Sequence, residues 1–305
     1  MSPFVAMSDV FEVLDDRFAP CIKSSARLDQ LYDGCRWAEG PVYAAAGRYL
    51  LWSDIPNDRM LRYDEAEDRV GAFRVPAGYT NGHTTDPQGR LVSCEHGNRR
   101  VTRTEHHGGI TVLAHEYDGK RLNSPNDVVV KRDGSIWFTD PAYGIDSDYE
   151  GYKGEIETGG CHVYRVGTDG VLTRVADDFN RPNGIAFSPD ESLLYISDSE
   201  EGTMRVFTVD GDKLSGGELF AECGNGIFDG FRLDTQGRIW TSAADGVHIY
   251  HPDGTLLGKL LVPETVSNLT WGGPKRNRLF ITATTSVYSL FTTANGAPEA
   301  YGPRV

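Results

Sequence analysis

Gly226-Ile227-Phe228-Asp229-Gly230-Phe231-Arg232-Leu233-Asp234-Thr235-Gln236-Gly237-Arg238-Ile239-Trp240 is one copy of a unit that occurs six times in the chain. Each unit has a polar lead residue, a short apolar run, a tight turn and then an aromatic-rich strand. The other copies begin at Glu39, Asn81, Asn126, Asn183 and Asn268. In each, a third alternating strand follows, for example Met204-Arg205-Val206-Phe207-Thr208, and often a fourth such as Leu172-Thr173-Arg174-Val175. The lead positions are separated by 42, 45, 57, 46 and 39 residues. A period in this range, with three to four strands per unit, is the signature of a β-propeller, in which each blade buries its faces only against its neighbours.

The expected fold is therefore all-β: a six-bladed β-propeller with four-stranded blades around a central channel, spanning residues 35–305 as a single domain. Composition agrees, because 35 glycines among 305 residues and few segments of helical periodicity favour strands and turns. Residues 1–34 carry no copy of the unit and are expected to form an N-terminal arm. Within it, Val10-Phe11-Glu12-Val13-Leu14 alternates like a strand and is the candidate for closing the ring against the last blade. The one long step is accounted for by an insertion over 143–160, polar and punctuated by glycine and aromatic residues, which is expected to act as a lid, the alternative being a mobile linker.

A formal charge of −14 with no basic cluster argues against binding to nucleic acid or to an anionic membrane surface. No apolar run approaches the roughly eighteen residues of a membrane span, and the start lacks a signal-peptide pattern. A cytoplasmic location is expected, with a periplasmic one left open. Cys21, Cys35, Cys94, Cys161 and Cys223 are odd in number and widely spaced, which suits reduced thiols better than a disulfide framework or a zinc site.

In a propeller the first strand of every blade lines the channel, so equivalent ends of those strands converge on one axis. Here they bring together Glu39, Asn81, Asn126, Asn183, Asp229 and Asn268, two carboxylates and four carboxamides. An all-oxygen set selects a hard cation, with Ca2+ first and Mg2+ or Mn2+ as alternatives. The plainer alternative is that Asn-Gly, Asp-Gly and Glu-Gly pairs are turns. Asp54, Glu95, Asp140 and Asp198 end second strands and read as turn initiators or supports. His83 and His96 are candidates for the channel mouth, and His106-His107-Gly108-Gly109 reads as a hairpin turn. The chain has no GxSxG, HExxH, P-loop or EF-hand pattern, and Gly224-Asn225-Gly226 fails the dinucleotide fingerprint.

Glu39-Gly40-Pro41, Asn81-Gly82 through Asp86-Pro87-Gln88-Gly89-Arg90, Cys94 through Arg100, Ser124-Pro125-Asn126-Asp127, Arg181-Pro182-Asn183-Gly184 and Asp229-Gly230 resemble the gluconolactonase, regucalcin and senescence-marker-protein family. The likeness runs from about residue 35 to 290 and points to the bacterial gluconolactonase-like branch. It implies a divalent metal, often calcium, held by Glu39, Asn126, Asn183 and Asp229, and hydrolysis of a sugar lactone, with glucono-1,5-lactone the usual substrate. It also implies that Asp229 is the general base or orients the water. Asn81, His83, Ser124, Tyr143 and Asn268 are the candidate substrate contacts. In the regucalcin branch an Arg helps hold substrate two residues before the third-blade Asn, where this chain has Ser124. The alternatives are a phosphotriesterase or aryl-lactonase on the same scaffold, or a calcium-binding propeller without turnover.

Overall fold

A computed structural model of the chain describes residues 10–23 and 25–298; residues 1–9 of the expected arm and 299–305 of the expected propeller lie outside the described residues. Six antiparallel blades of four strands follow one another around a ring, the fifth with one strand added at its outer edge, making a six-bladed β-propeller. The first blade comprises Ala38–Ala44, Tyr49–Asp54, Arg59–Asp64 and Arg69–Arg74, counted from the channel outward. The second starts with Thr80–Thr85, the third with Val128–Val130, the fourth with Pro182–Phe187, the fifth with Phe231–Leu233 and the sixth with Val266–Gly272. Each of these inner strands touches the inner strand of the next blade, and the sixth touches the first.

The blades are held face to face by large apolar side chains from their second strands. Trp137 and Trp240 follow an isoleucine at the same place in two repeats, and both are fully buried. Trp240 meets Trp271 of the sixth blade edge to face, ring centroids 5.1 Å apart, while Trp137 meets Phe187 of the fourth at 5.6 Å. At the seam where the ring closes, Tyr43 of the first blade stacks on Phe280 of the sixth at 5.6 Å. Such rings bury 150–250 Å² each and prefer offset or edge-on contact.

Closure corrects one expectation. The segment 10–14 does not pair with the last blade: Phe11–Val13 adds a fifth strand to the outer edge of the fifth blade, Phe11 opposite Leu260. The strand that completes the sixth blade is Asp29–Asp33, antiparallel to Ser286–Phe291 with Asp33 opposite Ser286. Tyr32 on this strand also contacts Trp52 of the first blade, centroids 5.7 Å apart, so the N-terminal strand bridges the seam. The reason lies in burial. Phe11 has a place ready against Phe18 and Leu260 in the fifth blade's cluster, whereas Leu31 and Tyr32 fit the cluster between the first and sixth blades.

All five cysteines are unbonded, and Cys21, Cys35, Cys94 and Cys161 are buried. The insertion begins with a one-turn helix, Tyr143–Asp146, and continues as a strap that returns to the third blade at Cys161. Among the described residues no helix is long and apolar enough to cross a membrane.

Candidate active site

The six lead residues stand at the start of, or just before, the inner strands. Glu39, Asn81, Asn126, Asn183 and Asn268 are buried, and Asp229 is partly accessible. Three local devices put them there. First, the carboxylate that ends a second strand accepts backbone N–H groups from the segment leading into the same blade. Asp54 Oδ1 accepts from Arg36 N at 2.9 Å, Asp140 Oδ2 from Asn123 N at 2.8 Å and Asp198 Oδ2 from Asn180 N at 2.7 Å. Each donor lies three residues before the lead residue of its blade. Asp54, Asp140 and Asp198 are thus supports of the ring, and Glu95 instead binds Asn98, Arg100 and Thr102 of its own blade.

Second, a hydroxyl next to that carboxylate reaches the following blade. Ser53, Thr139 and Ser197 donate to the backbone carbonyls of Asn81, Asn183 and Asp229 at 2.9, 2.7 and 2.8 Å. Third, Gly40, Gly82, Gly184 and Gly230 follow four of the lead residues because there is no space for a side chain. A Cβ on Gly184 would lie 2.4 Å from Asp229 O, and one on Gly82 2.4 Å from Asn126 O. These glycines serve close approach between blades. Of the four, only Gly40 has a positive φ, +57°.

The lead side chains form a polar set with unmet bonding capacity. Asn268 Nδ2 donates to Glu39 Oε2 at 3.2 Å, and Gly40 N donates to the same oxygen. Asn183 Nδ2 donates to Ser199 Oγ at 3.0 Å, and that hydroxyl is held by Phe228 O at 2.7 Å. The Asn126 carboxamide makes no protein hydrogen bond among the described residues, and buried Asn81 Oδ1 has no partner. Burial, then Asp229, then Asp127 push the Glu39 carboxyl far above the carboxylate range. Burial, then Glu150, then Asp127 raise Asp229. Two carboxylates that repel each other, Glu39 buried and Asp229 partly accessible, next to orphaned carboxamide oxygen, fit a divalent cation, which would relieve the repulsion and use the free acceptors. Among the described residues no three His, Cys, Asp or Glu side chains form a metal-holding group, so a cation here depends on the asparagines.

Below the ring, Arg232 crosses the channel from the fifth blade to Asp127 of the third. Its Nη1 and Nη2 lie 3.1 and 3.3 Å from the two carboxylate oxygens. This pair neutralises a third channel carboxylate, and beyond it opens a recess of about 70 Å³ lined by Thr84, Val129, Ala186, Leu233 and Trp271. Neither partner was singled out in the sequence for chemistry. The alternation of Phe231-Arg232-Leu233 with buried apolar neighbours was the available signal, since it turns Arg232 toward the channel.

The candidate substrate residues divide. Asn81 and Asn268 belong to the ring, the latter as a partner of Glu39. Tyr143 lies on the strap beside Asn183 and Ser199, with the Arg181 guanidinium 4.9 Å from its ring centre. His83 does not join them. It is buried inside the second blade's seam with the first, Nε2 2.8 Å from Ser53 Oγ and Nδ1 2.8 Å from Ser93 Oγ, and burial pushes its pKa down to about 3. Ser124 is likewise structural, donating to Pro141 O at 2.6 Å and accepting from Gly144 N at 2.9 Å, which ties down the base of the strap.

These features define a class: a six-bladed propeller that gathers carboxylates and carboxamides at one mouth of its channel. Within it, the chain belongs to the SMP-30/gluconolactonase/LRE-like family, whose model matches residues 37–285. It is 31% identical to the gluconolactonase of Zymomonas mobilis, over 90% of this chain and 86% of that protein. It is 29% identical to a pentonolactonase of Haloferax volcanii over 81% of each. The crystallised gluconolactonase of Xanthomonas campestris superposes with a TM-score of 0.88 at 41% identity, covering 93% of this chain and 95% of that one. The calcium-binding protein regucalcin of Agrobacterium tumefaciens shares the fold, with a TM-score of 0.75 at 20% identity over 90% of this chain and 97% of that one.

Proposed function

We propose that this protein hydrolyses sugar lactones, with glucono-1,5-lactone the first substrate to assay, and that the reaction depends on calcium or a similar divalent cation. The observation that carries the reading is the pairing of buried Glu39 with Asp229, two carboxylates that repel each other, beside the unpaired Oδ1 of Asn81 and the carboxamide of Asn126, which has no protein partner among the described residues. The lactonases of Zymomonas mobilis and Haloferax volcanii among its relatives support the reaction class. Glu39, Asn126, Asn183 and Asp229 would hold the cation, which when bound polarises an ester carbonyl and acidifies water.

The residues of the chain do the rest. Asn268 fixes the rotamer of Glu39 by its hydrogen bond to Oε2. Ser242 Oγ accepts from Asp229 N at 2.7 Å and Ser197 Oγ donates to Asp229 O at 2.8 Å, so the backbone of Asp229 is clamped on both sides. Its carboxylate takes a proton from the attacking water as the new C–O bond forms; the ring ester C–O bond then breaks and the leaving hydroxyl recovers the proton. Burial and the neighbouring carboxylates raise the basicity of Asp229, which favours this role.

Asp229→Asn is expected to lower kcat for glucono-1,5-lactone by roughly 10²- to 10⁴-fold. The experiment pairs turnover with calorimetric calcium binding. Retained turnover with calcium bound sinks the base assignment, and full activity after chelation removes the metal from the reaction.

A further inference from the structure

We propose that Glu150, on the strap over the channel mouth, is a specificity-determining residue whose carboxylate accepts hydrogen bonds from the hydroxyls of a sugar-lactone substrate, with His96 as the positioning residue that holds it there. The inference rests on the lactonase reading and extends it to substrate choice.

The strap is fixed over the mouth at several points. Gly144 N donates to Ser124 Oγ at 2.9 Å, Asp146 pairs with Arg181 at 2.5 Å, and Tyr152 packs edge-on against Tyr79 with centroids 5.3 Å apart. Glu150 sits between these ties. Its backbone carbonyl lies 3.2 Å from His96 Nδ1, and His96 Nε2 lies 3.3 Å from Asn81 Nδ2 in the ring. One imidazole therefore spans the distance from ring to strap. The amide nitrogen of Asn81 only donates and the backbone carbonyl of Glu150 only accepts, so Nε2 accepts and Nδ1–H donates to Glu150 O, which fixes the tautomer. His96 is fully buried, and burial pushes its pKa down to about 4, consistent with that neutral form.

The side chain of Glu150 has no such commitment. Among the described residues its carboxylate makes no hydrogen bond and no ion pair, although the residue is partly buried. A carboxylate placed out of bulk water without a partner is costly, and binding sites are where such groups are kept. Its backbone is tied through His96 to Asn81 of the ring, and its charge is among those that raise Asp229, so the side chain stands close to the mouth where a bound lactone would sit. Burial, then Asp146, push the Glu150 carboxyl up to about 7. A lactone without hydroxyls would leave this acceptor unpaired, whereas a polyhydroxylated one satisfies it, and sites built to hydrogen-bond a substrate hydroxyl discriminate strongly against analogues lacking it.

The test compares wild type, Glu150→Ala and Glu150→Gln, all calcium-loaded, on glucono-1,5-lactone and on δ-valerolactone, which has the ester and no hydroxyls. The ratio of kcat/KM for the sugar lactone over δ-valerolactone is expected to fall roughly 10- to 100-fold in Glu150→Ala, mainly through KM, with partial recovery in Glu150→Gln. An unchanged ratio overturns the proposal. His96→Leu should shift the same ratio in the same direction, and His96→Asn, which restores an N–H donor toward Glu150 O, should recover part of it. Binding of 1,5-anhydro-D-glucitol, which has ring hydroxyls and no carbonyl, separates this proposal from the lactonase reading. Affinity for it is expected in wild type and a loss of at least about tenfold in Glu150→Ala. No binding to wild type, or equal binding to both, overturns the role of Glu150 whatever the turnover, whereas binding without any lactone hydrolysis would fault the reaction alone.

Discussion

At the residue scale, the candidate site is a set of polar groups whose positions are dictated by neighbours that do no chemistry. Asp140 is the sharpest case. It is fully buried, accepts Asn123 N through Oδ2, and its Oδ1 has no partner, so burial pushes its pKa up to about 7. An aspartate in the unfolded chain releases its proton near 3.9. Between those two values the folded state binds more protons than the unfolded one, so Asp140 makes stability fall as pH rises through that window and level off above about 7. Urea unfolding of the metal-free protein at pH 4.5, 6 and 8 should show this slope, with Asp140→Asn reducing it by up to about 1.4 kcal/mol per pH unit. Gly184 makes the complementary point about space. Gly184→Ala would set a methyl group 2.4 Å from Asp229 O, and the resulting shift between the fourth and fifth blades is expected to cost about 1–3 kcal/mol and to weaken calcium binding. Calorimetry and thermal unfolding check the two effects separately; an undiminished calcium affinity would mean that the close approach does not set the position of Asp229. The turn reading of these Xaa-Gly pairs failed because a sequence shows which residue lacks a side chain and not which neighbouring backbone occupies the space.

At the scale of elements, what could be read in advance was what repeats. The inner strands, the following aromatic strands and the lead residues recur at a blade's spacing, so six weak local signals reinforce one another. Features that occur once were harder to read. The strap over 143–160 was visible as an excess of residues, but nothing in it marked Glu150 as the residue whose backbone His96 ties to the ring. The ion pair of Arg232 with Asp127 joins the fifth blade to the third, and although the strand alternation turns Arg232 inward, no local pattern names its partner. Two N-terminal segments form strands, and which of them meets the last blade depends on the apolar clusters each fits: Phe18 and Leu260 for Phe11, and Trp52, Phe280 and Val287 for Leu31 and Tyr32. The strand Asp29–Asp33 is expected to carry the closure. Removing the first 33 residues leaves the edge of Ser286–Phe291 unpaired and withdraws Tyr32 from Trp52, so the truncated protein should unfold at lower temperature and self-associate. Scanning calorimetry and size-exclusion chromatography measure both, and an unaltered melting curve would show that the strand is dispensable.

At the scale of the whole molecule, the ring is tied together blade to blade by the hydroxyls of Ser53, Thr139 and Ser197, each holding the lead residue of its successor. A site assembled from all six blades therefore exists only when the circle is complete. That has a consequence for how the chain comes into being. Asp29–Asp33 is made some 250 residues before its partner Ser286–Phe291. At roughly 5–20 residues per second of synthesis, the early strand waits on the order of ten to fifty seconds for its mate, with the blades between them already emerging in order. The ribosome thus delivers the two halves of the clasp far apart in time, and the oxygen ring at the channel mouth waits for the second of them.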